Sequence, residues 1–376
     1  MFCLHVYLHG GTGSLLALIV ADDLTGALDS AVMFAARGMR CCVLRHPEAL
    51  VSADLSDIDV CAVSTGSREG GRNQARDAIA AVLAALEPPF PDYIFKKVDS
   101  RLKGHVGLEA RLLAEGTGRT CLLVSPAIPE MGRFVTDGYL TGTGVIGPIS
   151  VASRVAETEM PLAIPEAKSD TDLVHCVGLA RSETTLFVGA RGLAAALARH
   201  LKPHGKAPSE IRLPRPALFV IGSRDPITEA QVERLCSKLD VGFLIAENGR
   251  VPAGAEPGSD LTIAKMTSGN AAVAAELAGG LFADGISALI ETTQPATLLA
   301  CGGETANALL ERLGVERLDV LDEILPGVPL ASAVLRGKTT RIITKSGGFG
   351  DADTLLRLAS SVESLEDIST AAESEP

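Results

Sequence analysis

The sequence predicts an α/β protein of two domains, each built on a mainly parallel sheet flanked by helices, with the active site in the cleft between them. Three observations carry this reading. At 376 residues the chain exceeds one ordinary core, and domains of about 100–200 residues make two the default. Short apolar runs that end in Asp, Ser or Gly are followed by segments of helical period, the pattern of strand, loaded turn and helix. Packing is carried by Ala, Leu, Val and Gly with no Trp, which suits buried strands under small-residue helices.

The first such unit, Leu15 to Leu44, sets the pattern. The apolar run Leu15 to Ala21 ends in the adjacent carboxylates Asp22 and Asp23, then Thr25 and Gly26. Leu24, Leu28, Val32 and Ala35 fall on one helix face, Gly38 is a natural stop, and a second apolar run starts at Cys41. Ligands of open parallel sheets lie beyond the carboxyl ends of the strands, where this Asp pair falls. One Asp can cap the helix. The second is then in excess, because two adjacent carboxylates repel unless a cation, a hydroxyl or a base stabilises them.

A strand at Ile58 to Val63 ends in Ser64-Thr65-Gly66-Ser67-Arg68, small polar residues and a cation, before a helix at about Arg72 to Leu86. After the strand at Tyr93 the chain reads KKVDSRLKGH, placing Lys96, Lys97, Arg101 and Lys103 with Asp99, Ser100 and His105 in ten positions. A basic run can be a solvated face. Following a strand and punctuated by Asp, Ser and Gly, it reads better as a concave anion site, where Arg grips a carboxylate bidentately. Thr120 to Val124 is the next strand, and the Gly-rich stretch after it predicts a β-hairpin carrying Arg133, a candidate for the same cleft. Residues 150–184 are weakly patterned; a short strand at Thr185 to Val188 and a helix at Gly192 to His200 close this domain.

The polar, Pro-rich segment 202–216 is the expected linker between an N-terminal domain, 15–201, and a C-terminal domain, 217–362. The second half repeats one device three times. The strands Ala217 to Ile221, Ala296 to Ala300 and Arg341 to Thr344 run into Gly222-Ser223, Gly302-Gly303-Glu304-Thr305 and Lys345-Ser346-Gly347-Gly348-Phe349-Gly350, each before a helix. Glycine lets backbone amides approach a phosphate, and a helix start supplies donors and positive potential. Three such turns in one domain, with Lys345 at the third, point to a nucleotide or phosphate site.

Composition narrows the class. With 34 basic against 46 acidic residues, a general nucleic-acid binder is disfavoured. The eight Cys form no CxxC pair and lie mostly in apolar runs, as expected of buried reduced thiols in a cytoplasmic protein. No apolar run reaches the roughly 18–20 residues of a membrane span. Residues 1–14 lack the basic start of a signal peptide, and their GGTGS lacks the Lys of a phosphate loop, so they read as a flexible leader. Residues 363–376, acidic and rich in Ser and Ala, read as a disordered tail.

In combination and order, VADDLTGALDSA, KKVDSRLKGHVGLE, VSPAIPEMGR, IGSRDPIT, GGETANALLERLGV, PGVPL and KSGGFGD resemble the four-carbon acid sugar kinase family from Leu15 to about Leu358. The resemblance implies an acid-sugar-binding N-terminal domain, a nucleotide-binding C-terminal domain, and ATP-dependent phosphorylation of threonate, erythronate or 3-oxo-tetronate. It places ATP on Ser223, Gly302, Gly303, Glu304, Thr305 and Gly347, the turns chosen above, and the acid on Asp22, Asp23, Lys97, Asp99, Ser100 and Arg101, with Thr25 and Arg133 added as contacts. The family often has Thr, Arg and Asn where Arg101, Lys103 and His105 stand, and a longer middle region.

The expected chemistry is phosphoryl transfer, which asks the protein for alignment and charge neutralisation. Glycine turns and Lys345 would hold the ATP phosphates with Mg²⁺ bridging them, and Lys97 and Arg101 the substrate carboxylate. Asp23 or Asp22, with Asp99 as the alternative, would accept the proton of the terminal hydroxyl. The partners expected are a small sugar acid and ATP, without nucleic acid or membrane, and a homodimer is compatible with the reading. Two rivals stand beside it. A nicotinamide-dependent oxidoreductase is disfavoured because DDLTG, not GxGxxG, follows the first strand. A non-catalytic sugar-acid sensor predicts binding without transfer.

Overall fold

A computed structural model describes residues 15–207 and 210–362; the expected leader with Cys3, and the expected tail, lie outside the described residues. The chain forms two compact units, the first comprising residues to Ala207 with Glu316–Leu321, the second the remainder.

In the first unit, β1 (Ala17–Ala21), α1 (Leu24–Ala35), β2 (Cys41–Leu44), β3 (Val60–Ser64), α2 (Arg72–Ala84), β4 (Tyr93–Lys97), α3 (Val106–Thr117) and β5 (Cys121–Ser125) follow in order. Then come β6 (Arg133–Thr136), β7 (Tyr139–Gly142), β8 (Ile149–Ser150), α4 (Val151–Arg154), β9 (Leu162–Ala163), α5 (Asp170–Leu179), β10 (Thr185–Gly189) and α6 (Arg191–Leu201). The parallel strands run β2-β3-β1-β4-β10-β5-β9. From β1 the chain first builds towards β2 and β3 and then crosses to β4 on the other side, so the strand order reverses at β1. Such a switch point opens a crevice at the carboxyl ends of β1, β3 and β4. Asp22, Thr65 and Val98 immediately follow those three ends.

Two elements differ from the sequence reading. Helix α1 is buried almost all round rather than on one face, because α6 covers the side turned away from the sheet. Its exit is as expected: Gly38 adopts φ +80° and its amide returns to Ala35 O at 2.8 Å. Helix α5 arises in the weakly patterned region, opened by a capping box in which Ser169 and Asp172 bond each other's backbone. The hairpin holding Arg133 forms as expected, β6 and β7 joined by Asp137-Gly138, both at positive φ.

The second unit holds β11 (Ala217–Ile221), α7 (Pro226–Cys236), β12 (Gly242–Glu247), β13 (Leu261–Thr267), α8 (Ala275–Thr293), β14 (Thr297–Cys301) and α9 (Gly303–Arg312). It continues through β15 (Arg317–Leu325), β16 (Val328–Leu335), β17 (Lys338–Lys345) and α10 (Thr354–Ser360). Its strands run β12-β13-β11-β14-β17-β16, all parallel except β16 against β17. The order reverses between β11 and β14, and the three glycine turns follow the ends of β11, β14 and β17. The start of β15 returns to the first unit, where Arg317–Val320 pairs antiparallel with β2. A boundary placed only at 202–216 misses this excursion, since a strand's pairing partner has no local signature.

The thiols divide more than expected. Cys41, Cys42, Cys61 and Cys301 are buried, Cys121 and Cys176 half-buried and Cys236 exposed, all unpaired. Among the described residues no helix is long and apolar enough to cross a membrane.

Candidate active site

The Asp pair is resolved by burial and by one cation. Asp23 is the N-cap of α1, its Oδ1 accepting the Gly26 amide at 2.7 Å, while Asp22 is 2% exposed. Gly26 lets the two side chains close in: a Cβ there would meet Asp23 Oδ1 at 2.6 Å and Lys97 Nζ at 2.9 Å. The excess charge is met by Arg68, which donates from Nε and Nη2 to Asp22 (3.1 and 2.7 Å) and from Nη1 and Nη2 to Asp23 (2.6 and 2.8 Å). The sequence showed a cation closing the β3 loop, but not that it would reach back across the sheet.

The two carboxyls are driven apart. Burial pushes Asp22 up, but Lys96, then Arg68 and Lys97, outweigh it and hold the carboxyl below its ordinary value. For Asp23 desolvation dominates over Arg68 and Lys97, and with Asp22 alongside, the carboxyl lies above its ordinary value. Its side chain is still 29% exposed, so Asp23 is the member of the pair that a ligand can reach.

The basic cluster is not one surface. Lys96 and Lys97 belong to β4 and are buried, contrary to a run displayed after the strand. Lys96 Nζ pairs with the buried carboxylate of Glu109 on α3 at 3.1 Å, and Glu109 accepts in turn from Ser67 Oγ. Lys97 donates to Val98 O at 2.9 Å beside the start of α1, so its charge serves the Asp pair, and its placement does not favour a grip on a substrate carboxylate. Asp99 Oδ1 accepts from the Arg101 and Lys103 amides at 2.9 and 3.4 Å, fixing the turn. His105 bonds Gly70 O at 2.8 Å, tying that turn to the β3 loop. Thr25 is half-exposed in the first turn of α1.

Arg133 reaches the cluster from the hairpin, donating to Ser100 Oγ at 2.7 Å and to Thr143 O at 2.8 Å. Burial, with Arg101 nearby, lowers its basicity, and neither guanidinium has a carboxylate partner among the described residues. Two such cations beside a hydroxyl suit an incoming anion. Thus Asp22, Asp23, Lys97, Asp99, Ser100, Arg101 and Arg133 surround the switch point of this unit, with Arg68 and the Lys96–Glu109 pair as unforeseen members.

In the second unit the three turns meet. A Cβ on Gly222 would run into Thr305 Oγ1, one on Gly302 would lie 3.2 Å from the same atom and 3.4 Å from the Ser223 amide, and one on Gly347 would strike Ser223 Oγ. Gly302 is the N-cap of α9 at φ +111°, a conformation hostile to L side chains, and no side chain caps the helix. The amides of Gly303, Glu304 and Thr305 are therefore the uncapped donors of the first turn. Around Ser346–Gly350 the carbonyls are tied down. Lys345 Nζ bonds Ser346 O and Gly347 O (2.9 and 3.2 Å), Thr228 bonds Gly347 O (2.6 Å), and Gln231 bonds Phe349 O and Asp351 O (3.0 and 2.7 Å). In a planar trans peptide the N–H opposes the C=O, so the Gly347 and Gly348 amides face away from Lys345. Lys345, 2% exposed and made less basic by burial, braces the turn through these bonds.

No group of three or more His, Cys, Asp or Glu suited to hold a metal occurs among the described residues. Asp225, which caps α7 and stands against Gly348, and the exposed Glu304 are the carboxylates at the turns. One or two carboxylates beside phosphate oxygens is how Mg²⁺ is usually held, so this donor set fits it.

Comparison with known proteins finds two family domains along the chain. Residues 17–161 match the family described as a sugar-binding N-terminal domain, and 218–355 that described as a nucleotide-binding C-terminal domain. A 3-oxo-tetronate kinase of Pseudomonas fluorescens is 28% identical over 407 residues, covering 89% of this chain and 94% of the relative. A D-threonate kinase of Cupriavidus necator is 28% identical over 398 residues, with the same coverage of 89% and 94%. Among solved structures, a Salmonella typhimurium LT2 protein superposes with TM-score 0.74 at 19% identity, over 91% of this chain and 98% of its own. A Haemophilus influenzae protein does so with TM-score 0.69 at 20% identity, over 91% and 99%; these two show the fold. A sugar-binding unit followed by a nucleotide-binding unit defines a two-domain α/β enzyme of the small-molecule kinase class. The chain belongs to the four-carbon acid sugar kinase family.

Proposed function

We infer that this protein is an ATP-dependent kinase that phosphorylates the terminal hydroxyl of a four-carbon acid sugar of the threonate, erythronate or 3-oxo-tetronate class. One observation carries the reading. Each unit gathers its polar groups at its switch point, and the two sets are complementary in chemistry: amide donors for phosphates in one, carboxylates and guanidiniums in the other. The relatives named 3-oxo-tetronate kinase and D-threonate kinase support the substrate class. They lend nothing to the oxidoreductase or sensor alternatives.

In this mechanism the ATP phosphates lie on Ser223, Gly302, Gly303, Glu304, Thr305 and Gly347, with amides neutralising charge that grows during transfer. Mg²⁺, held by Asp225 or Glu304, would supply further neutralisation of the phosphates. Arg101, Arg133 and Ser100 receive the acid's carboxylate, a role in which Lys97 is replaced by Arg133 on the grounds of its burial. Asp23 orients the terminal hydroxyl and takes its proton, with Asp99 the alternative and Asp22 held back by Arg68. In-line transfer requires acceptor and ATP to be in contact in the reacting complex. A cytoplasmic location and a homodimer belong to the same proposal; light scattering tests the latter.

The direct test is ADP release against a panel of four-carbon sugar acids. Stoichiometric ADP with one or a few acids is the expected result, and ATP inert with every acid would end the kinase reading. Gly347→Ala separates the two halves. Its Cβ strikes Ser223 Oγ, so the turn must shift, and KM for ATP should rise about tenfold or more, the equivalent of ~1.4 kcal/mol. KM for the acid should stay put; the reverse pattern would overturn the assignment of ATP to the second unit. Triple substitution of Gly302, Gly303 and Thr305 should act in the same direction, more strongly.

A further inference from the structure

The Arg68 guanidinium has five N–H donors, and four of them are engaged by the two aspartates. A guanidinium so committed cannot also grip a substrate carboxylate with two parallel bonds unless it first releases Asp22 or Asp23. It is also held from behind. The Arg68 amide bonds Asp22 O at 3.2 Å, and its neighbour Ser67 donates to buried Glu109, itself paired with fully buried Lys96. Thr65 gives both its amide (2.8 Å) and its hydroxyl (2.9 Å) to Ala21 O, closing the loop onto the end of β1. Such anchoring is what a site needs if a side chain is to be held within a fraction of an ångström.

We propose that Arg68 is a positioning residue for the transfer step: it orients Asp23 towards the acceptor hydroxyl, and does so through the carboxylates rather than by binding the acid. This rests on the reading of Asp23 as the base. The arrangement divides the labour of the pair. Asp22, buried and bonded through both oxygens, stays ionised and fixes one edge of the guanidinium. The other edge then holds Asp23, whose Oδ1 already serves the helix cap, so that Oδ2 accepts a single bond from Arg68 Nη1 and keeps room for a hydroxyl. The charged groups facing Asp23 are Arg68 from the β3 loop, Lys97 from β4 and Asp22 from the end of β1, with Asp99 acting on Arg68 from beyond β4. Removing Arg68 leaves Asp23 facing Lys97 and the neighbouring Asp22 carboxylate, and the balance moves towards a protonated Asp23.

The test compares Arg68→Ala, Arg68→Lys and Asp23→Asn in steady-state turnover across pH, with and without added ethylguanidinium ion. Arg68→Ala should lower kcat roughly 10- to 100-fold, the scale of a misplaced catalytic group. KM for the acid should change little, and the acid limb of the kcat profile should move to higher pH. Arg68→Lys should recover the position of that limb and part of kcat, since it restores charge without the planar fork. Ethylguanidinium should restore turnover to Arg68→Ala and none to Asp23→Asn, which a merely folded or unfolded variant would not do. If Arg68→Ala instead raises KM for the acid tenfold with kcat unchanged, the guanidinium holds substrate and the proposal falls. It falls equally if kcat and its pH profile are unmoved while Asp23→Asn is inactive. Asp23→Asn with full activity would refute the base reading itself. Ser67→Ala, which cuts the anchor to Glu109 and leaves the guanidinium in place, should lower kcat in the same direction by less; an effect on KM for the acid alone would count against positioning.

Discussion

Asp23→Asn should lower kcat by roughly 10²- to 10⁴-fold, the contribution typical of a positioned general base. Both KM values should stay within a few-fold of the parent. The substitution is informative because Asn is as good an N-cap as Asp, and its carbonyl can keep the bond to the Gly26 amide. What it removes is charge, and it turns an NH₂ towards Arg68 Nη1, donor against donor. That lost charge-assisted bond costs about 1.5–3 kcal/mol at most, less at a partly exposed group, so the fold should survive with a lowered Tm. Thermal melting beside steady-state kinetics separates the two effects. Unchanged turnover would exclude Asp23 as the base and pass the role to Asp99, whose Asn variant is the next to be measured.

Lys96→Met should be strongly destabilising to the first unit. Lys96 and Glu109 are both essentially without solvent contact, so removing the ammonium strands a buried carboxylate. Breaking such a pair from one side costs about 3–5 kcal/mol, whereas removing both charges is often close to neutral. The double variant Lys96→Met/Glu109→Gln should therefore recover much of the loss, since Gln can still accept from Ser67 through its carbonyl. Urea unfolding of the two variants and the parent measures this. A loss below about 1 kcal/mol in the single variant would mean the pair is not held as a dry ion pair.

Both predictions concern residues whose types were legible in the sequence but whose partners were not. The Asp pair announced itself, because one carboxylate too many at a strand end demands a counter-charge. The strand and helix around it were equally plain: β1, α1 and β11 follow apolar runs closed by Asp or Gly. The three glycine turns were legible for the same reason, since a backbone that must approach a phosphate or a neighbouring turn leaves a local mark. Other marks are weaker. The Ser169/Asp172 capping box identifies α5 in retrospect, and Arg68 was visible as the last residue of a polar loop.

The order of polar and apolar residues along the chain was sufficient to establish the fold class, the two switch-point loops and the chemical kinds gathered at each, because these depend on local periodicity and turn chemistry. Only the tertiary structure decided which cation answers which carboxylate. Lys96 and Lys97 look alike in sequence, yet successive residues of a strand point to opposite faces. One therefore lies against Glu109 of α3 and the other beside the cap of α1. Lys345 likewise shows in sequence only as a cation before a glycine turn, and the structure gives its ammonium to the carbonyls of that turn. Electrostatic partners are chosen by distance in space, and the chain that separates Asp23 from Arg68 by 45 positions carries no trace of a contact made across the sheet.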